Sequence, residues 1–293
     1  MIKTIAVIGL VILIFLSCNS NKTKMADQKQ TIETRIDSVT GYVPVNGIQM
    51  YYEIHGQGKP LVLIHGGGST IQTSFGVILP MLAKKYKVIA VELQAHGHTK
   101  DRDIASSFLQ DADDVAALLA DLKINKASFL GFSNGGHSLI EMGIRHPEII
   151  DKMIIVSSFY KRDATFPGFF EGMNHASIDN MPGPLKEAYL KIPGNDSVGL
   201  LRMFNQDKNR MIHFKDWDDS LLASIKAPCF IINGTQDVGS VENAVKMSKV
   251  IPGAELMILP GLHGACIGEI CTAVPGSKMP EMTVAAIEEF LNK

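Results

Sequence analysis

Short apolar runs alternate with stretches of helical periodicity along most of the chain. That rhythm predicts a mostly parallel β-sheet with helices on both faces. The runs fall at residues 61–64, 86–93, 126–130, 152–157, 228–232 and 255–259, and each is short enough to be a buried strand. Helical spacing marks 106–122, with acidic residues in its early turns as the helix dipole favours, then 136–145 and 281–291. A further helix is expected over 74–85, where Pro80 would bend or divide it. Ahead of these, residues 42–45 and 48–54 flank Asn46-Gly47, a pair suited to the two-residue type I′ turn of a β-hairpin. Between Phe159 and Lys226 the alternation is lost, and aromatics and methionines crowd together. Residues 159–226 therefore read as a cap inserted into one α/β core made of 41–158 and 227–293.

The N-terminus follows a different pattern. One positive charge at Lys3 precedes nearly unbroken hydrocarbon over residues 5–16. That is the length of a signal-peptide core and short for a bilayer about 30 Å thick. It ends at Phe15-Leu16-Ser17-Cys18, which resembles the lipobox of bacterial lipoproteins. On that resemblance 1–17 is a signal peptide, Cys18 carries lipid, and 18–40 is a flexible polar tether. The catalytic part would then be exported and held at a bacterial cell membrane.

Composition narrows the rest. The 293 residues are 46% hydrophobic with a net charge of −2, and Lys and Arg are scattered, so no polyanion groove and no nucleic-acid partner is implied. No cysteine pair or histidine cluster has metal-ligand spacing, so neither a metal nor a cofactor is expected. Cys229 sits in an apolar run and reads as a small buried hydrophobe. Cys266 and Cys271 flank a short loop, and in an oxidising compartment a disulfide is expected there, two separate thiols being the alternative.

The candidate chemistry centres on Gly131-Phe132-Ser133-Asn134-Gly135, placed between an expected strand and an expected helix. A serine on such a junction is pushed out of the fold by a tight turn, and the two glycines avoid side-chain collisions across it. His65-Gly66-Gly67-Gly68 lies upstream, and Asp237 and His263 lie downstream, each just past an expected strand end. With Leu63-Ile64-His65-Gly66-Gly67-Gly68-Ser69, Asn233-Gly234-Thr235-Gln236-Asp237 and Leu259-Pro260-Gly261-Leu262-His263-Gly264, the chain from about Gly41 onward resembles the α/β-hydrolase superfamily. Within it the likeness is to the capped serine esterases and lactonases.

The resemblance implies a catalytic set of Ser133 as nucleophile, His263 as its base and Asp237 as the acid that orients the imidazole. The Asn134 amide and one from Gly67 or Gly68 would form the oxyanion hole. His65 is expected to hold the glycine turn. His96 and His98 are expected to make structural hydrogen bonds, since no third metal ligand accompanies them, and His137 to pack. Where the family commonly has Asp-x-Arg-Gly-x-Gly, this chain has Glu92, Gln94 and Ala95 in place of the acid, the arginine and the first glycine. The expected activity is hydrolysis of a small carboxylic ester or lactone through an acyl-enzyme. A dehalogenase or epoxide hydrolase would carry aspartate at 133. Carbon–carbon bond hydrolases and cofactor-free haloperoxidases share the Ser-Asp-His set and stay open, as does a tethered protein that binds a ligand without turnover.

Overall fold

A computed structural model describes residues 38–293. The expected signal segment, Cys18 and the tether up to residue 37 lie outside the described residues.

Eight strands form one sheet: β1 (Ser38–Val45), β2 (Ile48–His55), β3 (Lys59–Ile64), β4 (Tyr86–Val91), β5 (Ala127–Phe132), β6 (Ile150–Val156), β7 (Cys229–Gln236) and β8 (Glu255–Leu262). Their order is β1-β2-β4-β3-β5-β6-β7-β8. β1 and β2 pair in antiparallel fashion, and β2 runs antiparallel to β4. Every other pairing is parallel. Asn46 and Gly47 both have positive φ, 41° and 90°, as a type I′ turn requires. β1 begins at Ser38, so residues 38–40 extend the hairpin and are not tether.

The helices are α1 (Ile71–Phe75), α2 (Leu79–Leu82), α3 (Phe108–Asp121), α4 (Asn134–Arg145), α5 (Phe169–His175), α6 (Gly183–Leu190), α7 (Ser197–Ile212), α8 (Asp219–Ala223), α9 (Val241–Val250) and α10 (Met279–Asn292). The helix expected over 74–85 is two short ones. Thr70 starts α1 early by accepting from the Thr73 amide, and Pro80 falls in the first turn of α2, where its missing N–H has no partner to lose. α3 starts as its sequence suggests, with the Ser107 hydroxyl accepting from the Gln110 amide and Asp111 in the first turn. α9, capped by Ser240, is an element the periodicity reading did not anticipate. The stretch between β6 and β7 holds α5 to α8.

Both sheet faces are buried, which is why its strands read as unbroken apolar runs. On β3, Val62 and Ile64 pack towards α3 and α4, while Leu61 and Leu63 pack towards α1, α2 and α10. All four are fully buried, and each such side chain contributes about 1.5–3 kcal/mol of transfer free energy. The cores on the two faces hold the strand ends in fixed register, and the site is built on those ends.

Candidate active site

Each parallel strand delivers a polar residue at the first position past its carboxyl end. These are His65 after β3, Glu92 after β4, Ser133 after β5, Ser157 after β6, Asp237 after β7 and His263 after β8. In open parallel sheets that edge is where ligands bind.

Ser133 occupies a strained backbone position, φ 53° and ψ −119°, between β5 and the first residue of α4. The surrounding glycines make that conformation possible. A Cβ on Gly131 would lie 2.3 Å from the Gly135 carbonyl oxygen across the turn, as the sequence suggested. A Cβ on Gly135 would instead strike the Ile64 carbonyl oxygen of β3 at 2.1 Å, so that glycine answers to the neighbouring strand. Gly136 is bounded by Ser158, whose hydroxyl donates to the Ser133 carbonyl at 2.8 Å.

The Ser133 Oγ is 2.9 Å from Nε2 of His263, and Nδ1 of His263 is 2.6 Å from Oδ1 of Asp237. Asp237 also accepts from the Val238 amide, from the Gly234 amide and, at 2.6 Å, from the Ser157 hydroxyl. Burial opposes its charge, but the hydrogen bonds from His263 and Ser157 and the nearby imidazole outweigh burial and hold the carboxyl below its ordinary range. An ionised Asp237 only accepts, so Nδ1 carries the hydrogen of a neutral His263 and Nε2 is left to accept from Ser133. Ser157 was not singled out by sequence; it stands at a strand end like the others but belongs to no motif.

The oxyanion candidates separate. Neither the Gly67 amide nor the Asn134 amide has an acceptor among the described residues. The Gly68 amide is committed, donating to Oδ2 of Asp207 at 2.5 Å. Gly67 is wedged in place, since a Cβ there would meet the Asn134 side chain at 2.4 Å and Asp207 Oδ2 at 3.1 Å. His65 holds the turn as expected. Its Nδ1 donates to the Gly66 carbonyl and its Nε2 accepts from the Leu93 amide, while burial lowers its pKa to about 3.

A cavity of about 480 Å³ opens onto Ser133 and His263. Its floor includes Gly67, Gly68 and Asn134, and its walls include Phe159, Phe169, Met173, Met181, Leu185, Phe204, Met211 and Val238. All of these but Val238 belong to the aromatic- and methionine-rich stretch, so a minority of that stretch lines the cavity. Trp217 and Phe214 instead pack on the His137 ring, at centroid distances of 5.8 and 5.4 Å. His137 is buried there, and burial takes its pKa to about 3.

The departure at Glu92-Leu93-Gln94-Ala95 is compensated locally. Glu92 accepts from both the amide and the Nδ1 of His98, and Gln94 Nε2 donates to the Ile104 carbonyl. Ala95 is left with φ 67° where the family commonly has glycine. His96 and His98 meet carboxylates, and no group of three metal-ligating side chains occurs among the described residues. Cys229, Cys266 and Cys271 are all free. The disulfide expected between Cys266 and Cys271 is absent, because Cys266 is turned into the core beside α10 while Cys271 faces outward.

The fold and the strand-end constellation define an α/β hydrolase. Residues 59–181 match the model of the alpha/beta hydrolase fold family. Over 237 residues the chain is 31% identical to the serine hydrolase BPHL of Homo sapiens, covering 75% of this chain and 79% of that protein. It is also 28% identical over 144 residues to a 2-hydroxy-6-oxo-6-(2'-aminophenyl)hexa-2,4-dienoic acid hydrolase of Metapseudomonas resinovorans, covering 46% of this chain and 48% of that one. Among solved structures, a meta-cleavage product hydrolase from Pseudomonas fluorescens IP01 superposes with a TM-score of 0.71 at 21% identity, covering 86% of this chain and 97% of that one. The chain belongs to the α/β-hydrolase family.

Proposed function

We propose that the protein is a serine hydrolase that cleaves a small carboxylic ester or lactone through an acyl-enzyme on Ser133. The observation that carries this reading is the unbroken relay from Asp237 through His263 to Ser133, opening onto the cavity. His263 takes the Ser133 proton as Oγ attacks the carbonyl carbon, then returns it to the leaving alcohol. The Gly67 and Asn134 amides stabilise the oxyanion of each tetrahedral intermediate, and water activated by His263 releases the acid. The helical stretch 159–226 acts as a cap whose apolar side chains take the acyl or alcohol group.

The second reading is hydrolysis of a carbon–carbon bond, which the similarity to the dienoic acid hydrolase favours. Such a substrate carries a carboxylate, and Lys208 is the lysine on the cavity wall; its ammonium already donates to the Ala176 carbonyl. The mostly apolar wall puts the neutral ester first. The same proposal keeps the exported, lipid-tethered state through Cys18, which fails if Cys18→Ser leaves the chain in the membrane fraction.

Turnover of an aryl acetate, a γ-lactone and a meta-cleavage dienoate by the wild type and Ser133→Ala separates these readings. Ester or lactone turnover that vanishes in the variant is the expected result. Turnover of the dienoate alone moves the assignment to carbon–carbon cleavage, and turnover undiminished in Ser133→Ala removes Ser133 from the chemistry.

A further inference from the structure

Three buried charged side chains, His96, Asp111 and Arg210, meet a fourth, Asp207, which is half-buried at the glycine turn and also lines the cavity. The triad uses none of them. Asp207 and Arg210 come from α7, Asp111 from α3 and His96 from the loop after β4. Oδ2 of Asp207 takes the Gly68 amide at 2.5 Å and lies 2.8 Å from His96 Nε2. Oδ1 of Asp207 is 2.5 Å from Arg210 Nη2, and Arg210 Nη1 donates to Asp111 Oδ2 at 2.7 Å. The Ser138 hydroxyl then lies 2.8 Å from Asp111 Oδ2 and 3.2 Å from the Asn134 carbonyl. The contacts run without a break from Gly68 to Asn134, joining the two backbone segments that carry the unpartnered amides.

We propose that Asp207, held by His96 and Arg210, is a positioning residue that sets the oxyanion turn, taking the Gly68 N–H so that the Gly67 N–H is left for the substrate. The proposal rests on the serine-hydrolase reading. The geometry also fixes the charge of His96. Its Nδ1 is 2.8 Å from the Gln94 carbonyl, and its Nε2 is 2.8 Å from Asp207 Oδ2 and 3.2 Å from the Gly68 amide nitrogen. The carboxylate is the shorter contact and takes the Gly68 N–H itself at 2.5 Å, so both ring nitrogens carry hydrogen. The groups facing this imidazolium are Asp207 and Arg210 of α7, Asp111 of α3 and the neutral ring of His65, 4.9 Å away between centroids. Burial raises the Asp111 pKa against the pull of Arg210, and with Asp111 ionised two carboxylates and two cations balance. Burial works against the charge of His96, but Asp207 outweighs it and raises the pKa above the ordinary histidine value. Loss of that proton at alkaline pH leaves a net negative charge under the turn and frees Asp207 to shift.

A contact that acts through the oxyanion hole changes kcat and leaves KM nearly alone. With 4-nitrophenyl acetate as the probe, Asp207→Ala is expected to lower kcat by about 100-fold with KM changed less than about threefold. Asp207→Asn keeps an acceptor for the Gly68 N–H and recovers part of that loss. In the wild type kcat declines as pH rises through the His96 titration, and His96→Gln, a donor that does not titrate, removes this alkaline limb. Should Asp207→Ala fail to fold, the His96→Gln profile decides. Wild-type kcat in Asp207→Ala, a loss confined to KM, or an alkaline limb unchanged in His96→Gln each overturns the proposal while leaving the triad intact. A wild-type protein inert to the ester overturns the underlying reading instead.

Discussion

Ser133 shows how a single residue is prepared by its surroundings. Its backbone lies outside the ordinary allowed regions, and the strain is sustained by Gly131, Gly135 and the Ser158 hydroxyl. Asp237 is prepared by hydrogen bonds that keep it ionised despite burial. Other residues are held in their neutral form, with a consequence for acid stability. Burial lowers the pKa of both His65 and His137 to about 3, against about 6.5 in an unfolded chain. Between those values the unfolded chain binds two protons that the folded chain refuses, so stability is full above about pH 6.5 and falls as pH is lowered. His96 and His98 have raised values, so their contribution is complete only below about pH 6.5 and adds little slope in the lower part of this window. Urea unfolding from pH 6.5 to 4.5 should show stability falling by about 1.4 kcal/mol per histidine per pH unit. A flat profile would mean that one or both rings accept a proton in place.

At the scale of elements, the elbow between β5 and α4 depends on backbones passing too closely for side chains. Gly135→Ala would drive a methyl group into the Ile64 carbonyl and force β3 and α4 apart. A loss of more than about 3 kcal/mol, together with loss of activity, is expected from overpacking at that position. Gly172 is the control. It lies inside α5 with nothing near its absent Cβ, so Gly172→Ala should raise stability by about 0.5–1 kcal/mol. Paired thermal melts check both, and equal effects would contradict the packing argument. The elbow and the hairpin were legible in sequence because glycine and Asn-Gly act locally. α9 was not, because its buried positions Asn243, Ala244 and Met247 make only a weak apolar stripe. Asp207 and Arg210 were also missed, although a signal exists: they fall on the face of α7 that buries Leu200, Met203 and Met211. Charges interrupting an apolar stripe mark a buried pair, and that pattern becomes informative only once the partners on α3 and the His96 loop are known.

For the whole molecule, the parallel sheet converts six separated stretches of sequence into one rim of polar residues. The apolar runs predicted the sheet, and the motifs at their ends predicted which residues meet. Sequence could not divide the crowded aromatics between core and cavity, because Phe159 and Met211 serve both while Trp217 serves only the core. Nor could it foresee that α7 reaches back to the glycine turn from more than a hundred residues away. The central claim is that this rim activates one serine. The most direct test is intact-mass spectrometry of the protein starting near Thr31, wild type and Ser133→Ala, after exposure to a fluorophosphonate. One phosphonyl group per chain in the wild type and none in the variant is the predicted result. A folded wild type that stays unlabelled, or equal labelling of the variant, would contradict the account.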